Sequence, residues 1–240
     1  EKLNTYIKLN PTLLGYDVVS NILKSAGFDN IELDPLSFVN DLQFSDAIPM
    51  IQRLTVKAEE TDLEFGVKLS NTLAVKNSED FLPGDEQYMS GRSLYPLTIK
   101  LAEQISRSFN GQINISFSGG ANQQNISDIL KCGIYPVTVV TDLLKPGGYQ
   151  RLRNMAHIAI KALPEIPGSI DLEKLNGLAE NAQTDPDYTL QEQMQLRNID
   201  KTPLDVFDCA IAPCIEACPI HQDIPAYIEL TGKGKYEEAL

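Results

Sequence analysis

Short apolar runs alternate with segments of helical periodicity over the first two thirds of this 240-residue chain. Strands are predicted at residues 5–9, 30–33, 64–69, 113–117 and 135–140, and helices at 16–26, 48–60, 96–109, 125–132 and 149–163. A helix between two strands supplies the crossover that parallel pairing needs, so the pattern predicts an α/β fold with a parallel sheet. The strands are apolar in continuous runs, as expected where both sheet faces are covered.

The pattern changes after residue 163. Residues 164–202 are rich in proline and polar side chains, with one amphipathic helix predicted at 172–182, which is typical of a linker or strap. From residue 203 the chain brings three cysteines and then two short predicted helices, separated at residues 232–234. We therefore divide the chain into residues 1–163, 164–202 and 203–240.

Charge and composition exclude several classes of protein. The formal net charge is −13 and the pI is near 4.6, and such an acidic surface repels nucleic-acid phosphates. No apolar run reaches the ~18–20 residues that cross a bilayer, and no signal peptide is recognisable. The cysteine usage favours a reducing compartment, so a cytoplasmic location is expected. Because the chain starts without Met, it is expected to be a piece of a longer polypeptide.

Two glycine- or threonine-containing turns follow predicted strands. Ser118, Gly119 and Gly120 come directly after one strand, and Thr141 opens the turn after the next. Glycine lets backbone N–H groups approach an anion closely, and in β/α barrels the loops after the last two strands hold phosphate. Each turn alone is equally well explained as a tight connection. As a pair, they predict a phosphate site at the carboxyl edge of the sheet.

Lysines occur inside two otherwise apolar strands. Lys8 lies within TYIKL and Lys68 within FGVKL. Burying an unpaired ammonium group is costly, so each lysine is expected either to serve a ligand or to pair with a carboxylate such as Glu32 or Asp34.

The cysteine spacing is the most specific local motif. Cys209-x4-Cys214-x3-Cys218-Pro ends like a ferredoxin-type run, in which the last cysteine binds a second cluster. Val206 stands where that run has another cysteine. The spacing favours iron–sulfur ligation; zinc and unliganded thiols are the alternatives, although zinc sites usually show C-x2-C pairs. Cys132, beside Gly133, is interpreted as a small core residue.

Several segments resemble a known family. YIKLNPTLLGYD, FGVKLSNT, YMSGRSLYPLTIKLA, ISFSGG and VVTDLLKPGGY are similar to the C-terminal part of dihydroorotate dehydrogenase-like barrels. DCAIAPCIEACPIHQDIPAYIEL resembles the iron–sulfur domain shared by the glutamate synthase small subunit and dihydropyrimidine dehydrogenase. The order of these parts is similar to that in a family named for selenate reductase subunits. The resemblance implies the C-terminal part of a TIM-type (β/α)8 barrel, followed by a linker and the start of a small α-helical [4Fe-4S] domain.

The resemblance also implies cofactors and roles. FMN would lie with its ring near Lys8, which the resemblance favours over Lys68; a strand-end lysine can stabilise the anionic ring of a reduced flavin. The other contacts implied are Asn71, Thr72, Ser90 and Gly91 lining the pocket, Ser118, Gly119, Gly120 and Thr141 at the phosphate, and Cys209, Cys214 and Cys218 on the cluster. FAD and NADPH would bind downstream of residue 240, and no catalytic acid or base is assigned.

Two functions are consistent with these patterns. The first is part of an oxidoreductase that passes electrons from NAD(P)H to an oxidised or unsaturated small molecule, either selenate or a nitrogen heterocycle. Its partners would be the rest of the polypeptide or redox subunits, with no nucleic acid and no membrane. The second is a non-catalytic barrel-derived scaffold or electron-transfer adaptor, which Val206 and the absence of an assigned acid or base favour.

Overall fold

The computed structural model describes residues 3–77, 84–145, 147–190, 219 and 222–239. The chain divides into two compact units, Glu1–Asn198 and Ile199–Leu240. In the first unit, the strands are β1 Thr5–Leu9, β2 Phe65–Leu69, β3 Leu73–Lys76, β4 Glu86–Met89 and β5 Asn114–Phe117. Its helices are α1 Tyr16–Ser25, α2 Pro35–Asn40, α3 Phe44–Glu59, α4 Tyr95–Ser108, α5 Ile126–Lys131, α6 Gly148–Ala162 and α7 Leu172–Asn181.

The main sheet is parallel, with strand order β1-β2-β5. A single parallel bridge between Phe117 and Val137 adds a fourth position beside β5. Phe117 makes this bridge by donating its N–H to the Pro136 carbonyl at 2.9 Å and accepting from the Thr138 N–H at 2.8 Å. Consecutive parallel neighbours with helices between them are the arrangement of a β/α barrel wall.

The two faces of this sheet differ in polarity. Leu9, Val67, Leu69, Ile115 and Phe117 are buried against the helices and form the core. Because side chains alternate across a strand, the opposite face carries Tyr6 and Lys8 on β1, with Lys68 and Ser116 in register beside Lys8. The helix-covered face therefore provides the hydrophobic stabilisation, and the other face presents polar groups.

Two sequence predictions about strands need correction, and one strand pair was missed. Residues 30–33 form no strand; Ile31 and Leu33 pack on the core in extended chain, with Glu32 accepting a hydrogen bond from the Lys76 N–H. Residues 135–140 contribute only the bridge at Val137, because Pro136 has no N–H to donate to a ladder. The antiparallel pair β3–β4 was not predicted at all.

The segment after α6 belongs to the first unit and packs on the helices of its barrel wall. The buried residues Ile170, Leu175, Ala179 and Tyr188 belong to its core, and α7 lies against α4. The Ile170 N–H donates to the Gly111 carbonyl at 3.1 Å, which fixes the start of this segment. Residues 164–190 thus cover one flank of the barrel wall, while the domain boundaries at 163 and 202 stay predictions.

In the second unit, the structure describes two short helices, α8 Ile224–Gly232 and α9 Tyr236–Ala239, close to the sequence prediction. Asp223 caps α8 by accepting a hydrogen bond from the Ala226 N–H at 3.1 Å. Cys209, Cys214 and Cys218 lie outside the described residues. None of the helices in the described ranges is both long and apolar enough to cross a membrane.

Candidate functional site

A cavity of about 360 Å³ opens at the carboxyl ends of the parallel strands. This is the edge where β/α barrels bind their ligands. Its wall is made by the strand ends, by the turn that follows β4, and by the loops after β5 and after the Val137 bridge. The lining residues are Lys8, Ser70, Thr72, Ser90, Gly91, Arg92, Leu94, Ser118, Gly119, Gly120, Ala121, Asn122, Thr138, Val139, Val140, Thr141, Asp142, Leu144 and Lys145.

Hydrogen bonds between neighbouring strand ends fix the floor of the cavity. The Ser118 N–H donates to the Leu69 carbonyl, and the Ser70 N–H donates to the Ser118 carbonyl at 2.7 Å. The Ser70 hydroxyl lies 2.8 Å from the Thr98 hydroxyl, where both side chains are buried. The sheet ladder therefore continues into the loops, so that the turn after β5 starts from a defined position.

Glycine is required at two positions of the turn after β5. A Cβ on Gly119 would lie 2.2 Å from the Thr98 Oγ1, and a Cβ on Gly120 would lie 2.5 Å from the Gly91 carbonyl oxygen. Gly120 also has φ +78°, which disfavours any other residue. The backbone is thus packed too tightly for a side chain, and both glycines line the cavity with main-chain atoms alone.

The turn after β4 completes this packing. Gly91 has φ +75°, and a Cβ there would lie 2.9 Å from the Thr141 Cγ2. Gly91 therefore touches both Gly120 and Thr141. The loops at 118–120 and 141–143, predicted from sequence to share one edge, do lie together at one mouth of the sheet.

Several backbone donors in this mouth are unused. Within the described residues, the N–H groups of Gly119, Gly120, Ala121 and Thr141 bond to no protein acceptor. Thr141 begins the 3-10 helix Thr141–Leu144, whose first N–H groups have no partner inside the helix. Free N–H groups gathered around a concave surface form an anion-binding site.

Buried amides brace the loop after β5. Asn125 donates to the Gly120 carbonyl and to the Tyr188 hydroxyl, both at 3.1 Å, and its Oδ1 accepts from the Asn122 N–H at 2.8 Å. Burial raises the pKa of Tyr188 to about 12, so its hydroxyl remains protonated. The loop is held from behind by neutral groups, which leaves its front edge free for a ligand.

The loop after the Val137 bridge is fixed by a buried ion pair. Arg151 of α6 donates to both carboxylate oxygens of Asp142, each at 2.9 Å. Asp142 is 4% exposed. The hydrogen bonds to Asp142 raise the pKa of Arg151. This bidentate geometry is the strong form of an arginine–carboxylate pair, and it fixes the 3-10 helix that Thr141 begins.

The two strand lysines are register neighbours with different surroundings. Lys8 lines the cavity and Lys68 does not. Neither makes an ion pair with any described residue; Glu32 pairs instead with Lys76 at 3.7 Å, and Asp34 caps α2. The structure thus brings Lys8, and not Lys68, to the ligand edge.

The structure gathers nearly the whole set of candidate ligand residues into one wall: Lys8, Thr72, Ser90, Gly91, Ser118, Gly119, Gly120 and Thr141. Asn71 is the exception, because it does not line the cavity, whereas its neighbour Ser70 does. The Asn71 N–H bonds to the Leu9 carbonyl at 2.9 Å. Sequence reasoning missed Arg92 and Lys145. Arg92 directly follows the Ser90-Gly91 pair, and that position was the available signal.

Comparison with known proteins assigns the chain to a family. The family model described as "Oxidoreductase YgfK, N-terminal TIM-barrel domain" matches residues 1–190. This chain belongs to that family. The predicted α/β fold and TIM-barrel class are thereby confirmed, and the described parallel strands of this YgfK-family chain form part of a barrel wall.

The relatives are longer proteins. "Putative oxidoreductase YgfK" of Escherichia coli strain K12 is 47% identical over 246 residues, which cover 99% of this chain and 23% of the relative; its counterpart in strain O157:H7 matches equally. The chain thus spans about a quarter of their length. A NADP(+)-dependent formate dehydrogenase subunit beta of Moorella thermoacetica is 59% identical over 29 residues, 12% of this chain and 4% of that protein.

Two solved structures are similar to part of this chain. A ligand-free DHODH from Eimeria tenella is 22% identical with a TM-score of 0.37, and the match covers 57% of this chain and 37% of that one. The same organism's DHODH in complex with ferulenol gives 22% identity and a TM-score of 0.38, over 57% and 35% of the two chains.

Proposed function

We propose that this chain binds FMN at the carboxyl edge of its sheet and forms part of a flavin- and iron–sulfur-dependent oxidoreductase. Electrons would pass from NAD(P)H to an oxidised or unsaturated small molecule. The observation that carries the proposal is the mouth where Gly91, Gly120 and Thr141 pack together. Gly119, Gly120 and Thr141 line one cavity there, and their N–H groups bond to no described protein acceptor. Such a cradle suits a phosphate group.

The residues present fit this cofactor. Gly119, Gly120 and Thr141 line the cavity with N–H groups that no described protein acceptor uses, and Lys8 places a cation in the same cavity. FMN supplies electron and hydride transfer when bound. Thr141, Gly119 and Gly120 would bind its phosphate, and Lys8 would stabilise negative charge on the reduced ring.

The cysteine motif supports the second part of the proposal. Cys209, Cys214 and Cys218 would ligate [4Fe-4S] clusters, with a remaining ligand supplied from elsewhere because Val206 occupies the usual position. Within the described residues, no three His, Cys, Asp or Glu side chains are placed to hold a metal. The short match to an NADP(+)-dependent redox subunit supports a nicotinamide donor.

The test is cofactor analysis of the full-length natural protein, purified without oxygen. We expect about one FMN per chain, identified after release by chromatography, together with iron and acid-labile sulfide. A protein with neither flavin nor iron would contradict the proposal and leave the scaffold function. Oxidation of NADPH measured with selenate and with an unsaturated nitrogen heterocycle would then separate the two substrate classes.

A further inference from the structure

Two cationic residues of the cavity wall have no role in the FMN contacts proposed above. Arg92 lies in the 3-10 helix Gly91–Leu94, and Lys145 follows the 3-10 helix Thr141–Leu144. Both line the cavity. The two helices start side by side, because Gly91 touches Thr141. A ligand bound to the free N–H groups would therefore share the cavity with both cations.

Arg92 has no protein partner in the described part of the chain. Its Nε is buried and makes no hydrogen bond, and the guanidinium makes no ion pair there. A guanidinium has five donors, and leaving a buried one unsatisfied is costly. Arg92 also lines the cavity, so an anion there would give its guanidinium a charged partner that no described residue provides.

Lys145 is only partly neutralised. Its Nζ lies 3.7 Å from the Asp142 Oδ1, but that carboxylate already receives two bonds from Arg151. Burial, followed by the nearby positive charge of Arg92, lowers the pKa of Lys145. Together with Lys8, the cavity wall carries more positive than negative charge, since Asp142 is its one carboxylate among the lining residues.

We infer that Arg92 and Lys145 form a two-cation clamp that binds a phosphate monoester as a dianion and rejects ligands without that phosphate. This rests on the proposed function and deepens it, because the clamp would select FMN over riboflavin by charge. Backbone N–H groups alone provide partial charges, whereas two full charges match the two negative charges of the monoester. Asp142 and Arg151 act as positioning residues that hold Lys145 at the rim.

The experiment uses the full-length protein after removal of bound flavin. Arg92→Gln, Lys145→Gln and the double variant are compared with Arg153→Gln and Lys161→Gln, which change exposed cations on α6 outside the cavity. Dissociation constants for FMN, riboflavin and inorganic phosphate are measured by flavin fluorescence and by competition. Far-ultraviolet circular dichroism confirms that each variant is folded.

Each clamp substitution should weaken FMN binding by roughly 10- to 100-fold, the range for one hydrogen bond to a charged group. Riboflavin affinity should change by less than about threefold, and inorganic phosphate should compete with FMN in the native protein and not in the double variant. The α6 controls should match the native protein. Equal losses for FMN and riboflavin, or no loss, would overturn the clamp.

The clamp and the flavin function can fail separately. If the native protein binds neither flavin, the proposed function fails, and phosphorus NMR titration with inorganic phosphate still tests the clamp. Phosphate binding that is lost in the double variant would then support the clamp, and absence of phosphate binding would refute it.

Discussion

At the scale of single residues, Cys132 shows how burial decides the chemistry of a thiol. It follows α5, is fully buried and has no disulfide partner, as expected of the small core residue that the sequence predicted. Burial raises the pKa of the Cys132 thiol to about 12, and the nearby carboxylates of Asp171 and Asp128 act in the same direction. Only the thiolate is nucleophilic, so this cysteine should be inert in the folded chain.

We expect iodoacetamide at pH 8 to label Cys132 only after denaturation, as read from its peptide by mass spectrometry. Because the folded pKa lies above the ordinary value of 9.0, the contribution of this thiol to stability is present below pH 9 and is lost between pH 9 and about 12. Cys132→Ala should lack that pH-dependent loss. Rapid labelling of Cys132 in the native chain would contradict the burial.

Asp142 provides a second test at this scale. Asp142→Asn leaves the Arg151 guanidinium without its carboxylate, and breaking a buried pair costs about 3 kcal/mol, near the lower end of the range because Arg151 is partly exposed. Urea unfolding of this chain, followed by circular dichroism, measures the loss. Glu60→Gln is the control, since its pair with Lys57 is exposed and contributes less than about 1 kcal/mol. Equal effects of the two substitutions would contradict a structural role for Asp142.

At the scale of elements, periodicity predicted the helices of the first unit except α2, and it predicted the strands only in part. The sequence predicts α1 at residues 16–26, and the structure shows it at Tyr16–Ser25. The apolar stripe identifies its buried face, and Gly27 identifies where it ends. The pair β3–β4 could not be predicted, since each strand has four residues and no standard two-residue turn joins them. Helix α3 starts at Phe44, ahead of the predicted residue 48, so Pro49 lies inside it.

The candidate site was predictable to the extent that it depends on backbone turns. Gly119, Gly120 and Thr141 could be identified because glycine or a small polar residue after a parallel strand has a known use. The position of Arg92 after Ser90-Gly91 marked it as a neighbour of the site, but its buried, unpaired Nε is a property of three-dimensional packing that the sequence does not show. The choice between Lys8 and Lys68 likewise required the structure, which shows that Lys8 lines the cavity and Lys68 does not.

Two glycines give opposite predictions at this scale. Gly177 lies inside α7, and a Cβ added there would have nothing within 4 Å, so Gly177→Ala should raise the free energy of unfolding by about 0.5–1 kcal/mol. Gly111 has φ +75°, and its Cβ would lie 2.6 Å from the Ile170 carbonyl oxygen. Gly111→Ala should therefore destabilise by about 1–3 kcal/mol. Urea unfolding of both variants checks the signs, and a stabilised Gly111→Ala would contradict the packing of residue 170.

At the scale of the whole molecule, the two compact units separate the two proposed cofactors. The cavity lies within Glu1–Asn198, and the clustered cysteines lie within Ile199–Leu240. The FMN contacts would then all belong to the first unit, and the three cysteine ligands to the second. Binding of one should not require the other.

We expect Cys209→Ser, Cys214→Ser and Cys218→Ser in the full-length protein to lower its iron and sulfide content and leave the FMN content unchanged. Cys132→Ala is the matched control and should retain both, because its thiol is buried in the first unit. Metal analysis and flavin release measure the two quantities on the same sample. Parallel loss of iron and flavin would show that the two sites depend on each other.

The contact of Gly91 with Gly120 on one side and Thr141 on the other has a consequence for how this sequence can vary. Three loops from distant parts of the chain share one small volume, so a larger residue in any of them displaces the other two. Substitutions there should be strongly non-additive, and a tolerated change at one loop should require a compensating change at its neighbour. The amino-acid sequence of the loops that contain Gly91, Gly120 and Thr141 can therefore diverge only when all three loops change together.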